Sequence, residues 1–189
     1  ITIDSPPTFT SFIDRFLVTT EAYGVTAVFL FIKIDVNVDS SQKIVEDLTT
    51  LYEGIGYQCL SISAITGTNL EAVKTLMTGK SSMFAGHSGV GKSTLVNAIE
   101  PGLNIKTKEI SDQHKQGQHT TTFAEMFDLS FEAQIIDTPG IKGFGVVDME
   151  ASEIDNYFPE LFALKQGCKF NNCLHLHEPQ CAVKSALEN

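Results

Sequence analysis

The sequence predicts an α/β fold, a mostly parallel sheet with helices on both faces, followed by a small metal-binding domain. Residues 25–34 form a continuous apolar run, which is typical of a buried parallel strand. Strand-like and helix-like stretches alternate along most of the chain, and cysteine and histidine residues gather near its C-terminus. We place the boundary between the two domains after residue 145, which gives domains of residues 1–145 and 146–189.

Apolar periodicity and glycine positions assign the individual elements. Thr68 and Glu71 have the spacing of a capping box and predict the start of a helix. In chain order we expect a helix at 9–23, a strand at 25–34, a helix ending at Gly54, a strand at 57–63, a helix from 69, a strand at 82–85, a helix at 92–99, a polar loop at 106–120, and strands near 122–130 and 133–137.

Composition excludes some classes of function. The formal net charge is -10 with only 13 Lys and Arg residues, which argues against a strongly basic nucleic-acid-binding surface. Any contact with RNA would need a local patch or another domain. No apolar stretch is long enough to span a membrane, and the N-terminus lacks the pattern of a secretion signal. We expect a monomer without membrane association, and we expect Ile1 to lie in mid-protein.

A glycine-rich turn at residues 86–93 lies between a predicted strand and a predicted helix. It matches G-x-x-x-x-G-K-[ST], in which backbone N–H groups and a helix N-terminus surround phosphate oxygens. We expect Lys92 to meet the β- and γ-phosphates and the Ser93 hydroxyl to bind Mg²⁺. The alternative, a chance glycine-rich turn, is disfavoured because a predicted strand precedes the turn and a predicted helix follows it, as in phosphate-binding loops. The expected nucleotide contacts here are Gly86, His87, Ser88, Gly89, Val90, Gly91, Lys92, Ser93 and Thr94.

A second phosphate-side motif, Asp137-Thr138-Pro139-Gly140, follows an apolar strand. A carboxylate at a strand end can hold Mg²⁺ through water, and the Gly140 N–H can reach a γ-phosphate. The pattern is weak alone, but its position after the glycine-rich turn strengthens it. We therefore expect Asp137 and Gly140 to contact the nucleotide or its metal ion.

Base recognition is expected at the ends of two earlier strands. Asp35 can accept hydrogen bonds from guanine N1–H and N2–H₂, which adenine does not offer, and the Lys33 stem can lie along the base. Ser63 and Ala64 follow the next strand and can present a backbone N–H to the guanine carbonyl. These loops precede the glycine-rich turn, the reverse of the usual order. A parallel sheet tolerates this because its ligands bind at one edge, formed by loops.

Ile32 occupies the position at which guanine-binding loops usually carry Asn. An Ile side chain cannot form the amide hydrogen bonds that tie this loop to the base and the phosphate loop. Losing such a group costs about 1–3 kcal/mol, or roughly tenfold to a hundredfold in affinity. We expect guanine preference with weakened binding, and a P-loop ATPase stays as an alternative.

The order of these motifs resembles that of the bacterial small-ribosomal-subunit-dependent GTPase family, RsgA or YjeQ. The likeness includes Gly117-Gln118-His119-Thr120-Thr121-Thr122 and a C-terminal Cys/His group. It implies a circularly permuted GTPase, stimulated by the small subunit, in contact with its rRNA, and acting in late 30S maturation in the cytoplasm. Members usually begin with an OB-fold that this sequence lacks, so we expect a fragment.

Catalytic roles follow from this resemblance. Ile141 stands where Ras-like GTPases carry a water-orienting Gln, so another group must act on the attacking water. The resemblance supports His119 in that role, whereas a solvated loop histidine is the other interpretation. One of residues 120–122 should meet Mg²⁺ and the γ-phosphate, and we favour Thr121.

The C-terminal cluster predicts one structural Zn²⁺ per chain. Cys168, Cys173, His175 and Cys181 lie within fourteen residues and supply three thiolates and an imidazole, a closed tetrahedral set. Disulfides or free thiols are disfavoured because a P-loop enzyme without a secretion signal belongs in a reducing compartment. His177 is the rival nitrogen donor, and the resemblance favours His175.

The sequence leaves two classes of function open. The leading hypothesis is a GTPase that converts GTP to GDP and phosphate. The alternative is a nucleotide-occupied, weakly hydrolysing module that docks on RNA or the ribosome.

Overall fold

A computed structural model of the protein describes residues 1–3, 7–36, 39–87, 89–103, 125–137 and 149–188. Contacts divide the chain into two units. The first unit comprises Ile1–Thr8, Val28–Leu51 and Gln58–Gly143, and the second comprises Phe9–Ala27, Tyr52–Tyr57 and Phe144–Asn189. The second unit therefore takes two segments from the first third of the chain, which the sequence did not predict.

Helices and strands alternate in the predicted order up to residue 99, and the two predicted strands follow. The two short helices near the C-terminus were not predicted. The helices and strands are α1 (Thr10–Ala22), β1 (Val28–Ile32), α2 (Asp39–Gly54), β2 (Gln58–Ile62), α3 (Leu70–Met77), β3 (Ser81–Met83), α4 (Lys92–Ile99), β4 (Glu125–Leu129), β5 (Ala133–Asp137), α5 (Pro159–Lys165) and α6 (Ala182–Leu187). Among the described residues, no helix combines the length and the hydropathy that crossing a bilayer requires.

The strands of the first unit are mostly parallel, as predicted. β1 and β2 are parallel, with Ile32 opposite Ile62, and β3 is parallel to β5, with Met83 opposite Ile136. β4 is antiparallel to β5, because the two are joined by a short turn and parallel strands need a long crossover. The carboxyl ends of the parallel strands carry the loops in which the candidate site residues lie.

One apolar cluster connects the strands of the first unit to α3 and α4. Burial of these side chains fixes the loops that follow the strands, because each loop begins at a residue packed in the cluster or next to one. The buried members are Ile62, Val73, Met77, Leu95, Val96, Ile99, Leu129, Ala133 and Ile135.

The predicted capping box at Thr68 and Glu71 does not form. The residue before α3 is Asn69, which has a φ of 59° and makes no side-chain cap. Its amide instead donates to Ser61 O at 2.8 Å, and Thr68 Oγ1 lies 2.7 Å from Thr66 Oγ1. The prediction was wrong because these side chains close the loop back onto β2 and onto itself rather than capping the helix.

Helix α1 belongs to the second unit. Its buried face includes Ile13, Leu17 and Val18, and a 3₁₀ turn at Ile154–Tyr157 contacts both α1 and α5. The apolar periodicity of α1 predicts a buried face but not the element that covers it. The predicted domain boundary after residue 145 stays a prediction.

We predict that Ile62→Ala lowers the free energy of unfolding by about 2–5 kcal/mol, because Ile62 is fully buried in the cluster that joins strands to helices. Ile65→Ala is the matched control, since Ile65 is 77% exposed, and its effect should stay within about 0.5 kcal/mol. Urea unfolding of both variants measures the difference. Equal losses would show that the cluster is not the source of stability.

Candidate nucleotide site and metal centre

The phosphate loop joins β3 to α4 through glycines in the left-handed region. Gly89 has a φ of 81° and Gly91, which immediately precedes α4, a φ of 110°. Residues with a Cβ rarely adopt these angles, so glycine is required at both positions. The turn thereby places the N-terminus of α4 at the carboxyl end of β3, as the sequence predicts.

Lys92 lies at the first position of α4 and folds toward its own loop. Its Nζ donates to Gly86 O at 2.7 Å and to His87 O at 2.9 Å. His87 thus contributes a backbone oxygen here. Ser93 is half-buried and Thr94 exposed in the first turn of the helix, and Ser88 lies outside the described residues.

The loop after β1 contacts the phosphate loop directly. Lys33 Nζ donates to Gly89 O at 3.1 Å across 56 positions of sequence, and Lys33 itself has a φ of 65°. A Cβ built on Gly91 would lie 3.5 Å from Ile32 Cδ1, so the Ile32 side chain packs against the phosphate loop. The two loops that the sequence assigns to base and phosphate therefore meet in the fold. Asp35 is exposed in the 3₁₀ turn that follows.

The loop after β2 is shaped by the buried hydroxyl of Ser63. Ser63 Oγ accepts from Thr66 N at 3.2 Å, and the Ser63 backbone bonds to both Thr68 and Gly67. Ala64 follows, half-buried, at the carboxyl end of the strand paired with β1. Ser63 therefore orients this loop from inside, and its assigned contact with the nucleotide stays a prediction.

Asp137 ends β5, one residue beyond the Ile136 that pairs with Met83 on β3. Its backbone therefore lies beside the strand that leads into the phosphate loop. Gly140, His119 and Thr121 lie outside the described residues, so their assigned roles stay predictions.

The structure brings the four predicted metal ligands together. The ligand atoms of Cys168, Cys173, His175 and Cys181 all lie within 4.8 Å of one another. Cys168 Sγ is 3.9 Å from Cys181 Sγ, and His175 Nδ1 is 3.7 Å and 3.2 Å from these two sulfurs. Tetrahedral zinc bonds imply separations of about 3.8 Å between sulfurs and about 3.5 Å between sulfur and nitrogen. The donor set therefore fits a tetrahedral ion.

The thiols of this cluster have different acidities. For Cys181, burial opposes ionisation, but hydrogen bonds from Lys184 N and from His175 lower the pKa to about 7. Burial raises the pKa of Cys173 to about 11. None of the four cysteines in the chain, all of them within the described residues, forms a disulfide. The cluster can hold a metal ion, and binding would displace the remaining thiol protons.

Two carboxylates organise the loops around the cluster, and the sequence predictions included neither. Asp155 Oδ2 lies 3.1 Å from His175 Nε2, the ring nitrogen that points away from the sulfurs. The Glu178 carboxylate accepts the N–H groups of Leu174, Leu176 and His177, each at 3.0 Å. Those bonds lower the pKa of Glu178 to about 2. His177, the rival ligand, is exposed.

Comparison with known proteins places the chain in a family. The model of the RsgA GTPase family matches residues 1–147. The chain belongs to the RsgA GTPase family. It is 63% identical over 188 residues to the small ribosomal subunit biogenesis GTPase RsgA of Christiangramia forsetii, covering 100% of this chain and 60% of that relative.

Solved structures agree with this family assignment. A crystal structure of YjeQ from Thermotoga maritima has a TM-score of 0.84 and 36% identity, covering all of this chain and 62% of that one. A crystal structure of YloQ, a circularly permuted GTPase, has a TM-score of 0.79 and 31% identity, covering all of this chain and 59% of that one. The predicted resemblance and the circularly permuted α/β fold are confirmed. The chain spans about 60% of the length of the curated relatives it matches.

We predict that Glu178→Gln accelerates loss of a bound metal ion, roughly tenfold, because the variant loses the charge that holds three backbone N–H groups beside His175. Chelator-driven release measures this, with Glu188→Gln as the control on an exposed carboxylate.

The pH dependence of this effect follows from the depressed pKa of Glu178. Stabilisation by Glu178 is fully present above its ordinary value of 4.5 and is lost as pH falls through about 2. The ratio between the rates of the protein and the variant should stay constant from about pH 8 to pH 5. A ratio that collapses in this range, or equal rates at neutral pH, would contradict the role of Glu178.

Proposed function

We propose that this chain is the catalytic and metal-binding part of a GTPase that hydrolyses GTP on the small ribosomal subunit. The observation that carries the proposal is the meeting of Lys33 and the phosphate loop, which brings the base-side and phosphate-side motifs to one place. The family match and the names of the relatives, small ribosomal subunit biogenesis GTPases, support both the reaction and the partner.

The phosphate side of the site binds through backbone and charge. Loop N–H groups and the N-terminus of α4 face phosphate oxygens, and Lys92 adds its ammonium from the first turn of the helix. Bound with the nucleotide, Mg²⁺ neutralises charge on the β- and γ-phosphates. We assign its ligands to Ser93, Thr121 and, through water, Asp137, while Gly140 N–H meets the γ-phosphate.

The base side selects guanine through Asp35, with Lys33 along the base and the loop at Ser63 and Ala64 beside it. Two contacts support this assignment in the absence of the usual Asn. Packing of Ile32 on Gly91 and the hydrogen bond from Lys33 to Gly89 connect the loops that an Asn amide would otherwise connect. ATP is the competing nucleotide, because this connection does not itself depend on the base.

Hydrolysis requires a group that orients water, and Ile141 cannot do so. We assign this role to His119, whose neutral imidazole can accept a proton or a hydrogen bond from the attacking water. Turnover should be slow in isolation and faster on the small subunit and its rRNA.

Zn²⁺ is the metal ion that we assign to Cys168, Cys173, His175 and Cys181. Three sulfurs and one nitrogen at tetrahedral spacing favour it over metals that prefer oxygen ligands. Four protein ligands leave no open position, so the ion is structural, and it would stabilise a tail whose buried apolar cluster is small. Protein thiols of this kind fit the reducing cytoplasm.

We predict that Asp35→Ala lowers GTP affinity by at least about tenfold and leaves ATP affinity unchanged, because charge-assisted bonds to guanine are lost. Asp47→Ala, on the exposed face of α2, is the control for loss of charge. Calorimetric titration of GTP and ATP measures both variants. Equal affinities of the unaltered protein for the two nucleotides would remove the base assignment.

We predict that added small ribosomal subunits stimulate phosphate release by the full-length protein. His119→Ala should lower this stimulated rate by roughly 10²–10⁴-fold, because the variant loses the group assigned to the attacking water, while GTP affinity stays nearly intact. His114→Ala, in the same predicted loop, is the control and should retain the rate. Absence of stimulation would argue against the ribosomal partner. Full turnover by the His119 variant would exclude that residue from catalysis.

A further inference from the structure

Asp155 lies twenty positions before His175, outside the cysteine-rich stretch, yet the fold brings the two side chains together. Asp155 Oδ2 is 3.1 Å from His175 Nε2, while His175 Nδ1 faces Cys168 Sγ and Cys181 Sγ. Each ring nitrogen thus has its own kind of neighbour: sulfur atoms on one side and a carboxylate oxygen on the other.

This arrangement favours one tautomer of the imidazole once a metal ion is bound at Nδ1. A histidine that binds a metal ion through Nδ1 presents a lone pair there and carries its proton on Nε2. A carboxylate that accepts the Nε2 proton favours that tautomer, orients the ring and increases the electron density on the ligating nitrogen. Asp155 is the residue placed to do this.

The burial of Asp155 destabilises the fold unless another group interacts favourably with its charge. Its side chain is only 14% exposed, and Oδ1 is buried without a hydrogen bond from any described residue. Lys165 Nζ donates to Oδ2 at 3.2 Å and also bonds Asn156 Oδ1. A half-satisfied buried carboxylate is destabilising by itself, so a partner that benefits from its charge explains its place here.

We infer that Asp155 is a positioning residue of the metal site, which holds His175 with Nδ1 directed at the metal ion and Nε2–H directed at its own carboxylate. The inference rests on the proposed metal binding by the Cys/His cluster and does not involve nucleotide chemistry. Lys165 balances part of the negative charge that three thiolates and Asp155 bring together.

The surroundings make this support rigid. Asp155 lies in the Ile154–Tyr157 turn, which contacts α1 and α5, and Lys165 is the last residue of α5. The segment from Cys168 to Cys181 therefore gains a polar connection to helices of the second unit that the four candidate ligands alone do not supply. A ligand whose orientation is fixed in advance loses less entropy on binding.

The test measures Zn²⁺ affinity of the full chain by competition with a chromophoric chelator. Asp155→Ala should weaken Zn²⁺ binding by about 10–100-fold, the usual effect of removing an outer partner of a ligand. Asp155→Asn keeps an oxygen that can accept from Nε2–H, so it should lose less than about tenfold. Glu153→Gln changes charge two positions away on an exposed side chain of the same region and should leave affinity unchanged.

Two spectroscopic measurements distinguish positioning from general stabilisation. In the Co²⁺-loaded chain, Asp155→Ala should shift the ligand-field bands because the imidazole reorients, and Asp155→Asn should restore them. In the Zn²⁺-loaded chain without substitutions, nitrogen NMR should show a protonated Nε2 and a metal-bound Nδ1 on His175, a result independent of whether any variant folds.

Each outcome supports or overturns the inference. Unchanged affinity and unchanged Co²⁺ bands in Asp155→Ala, or a metal-bound Nε2 in the unaltered chain, would overturn it while leaving the metal site standing. A chain that takes up no Zn²⁺ would overturn both this inference and the zinc assignment. Neither result bears on GTP hydrolysis, which is measured separately.

Discussion

The contact between the loop after β1 and the phosphate loop is the constraint on which the proposed nucleotide site depends. A nucleotide has its base and its phosphates at opposite ends, so the loops that bind them must be held at a fixed separation. Here the bond from Lys33 Nζ to Gly89 O and the packing of Ile32 on Gly91 hold them. The apolar cluster beneath, which includes Ile62 and Leu95, keeps both loops on one support.

That constraint explains why the permuted order of motifs is tolerated. β1 pairs with β2 in one sheet and β3 pairs with β5 in another, and neither parallel pairing depends on which strand comes first in the chain. Ile32 is a second departure from the usual pattern that the fold tolerates. Its side chain packs against the phosphate loop at the position where guanine-binding loops usually carry an Asn amide.

The candidate metal centre is stabilised in a different way, because the apolar cluster around it has few members. The buried apolar cluster there consists of Cys173, Cys181 and Val183, with Leu161 and Cys168 partly buried against it. So few side chains cannot fix a loop by packing alone. Polar atoms do so instead: Glu178 gathers the backbone N–H groups around His175, and Asp155 meets the ring of His175 from the other side.

The sequence by itself determined the elements and the motifs, because periodicity, glycine positions and ligand spacing are local properties. The phosphate loop, the order of strands along the chain and the four candidate metal ligands could all be predicted for that reason. Glu178 is equally local, within four residues of its partners, although its role was not predicted. Only the tertiary structure decided what depends on distant residues: that α1 joins the C-terminal unit, that Asn69 turns to β2 instead of allowing a cap at Thr68, and that Asp155 reaches His175. Such contacts leave no local pattern, since burial and packing select them after the chain has folded.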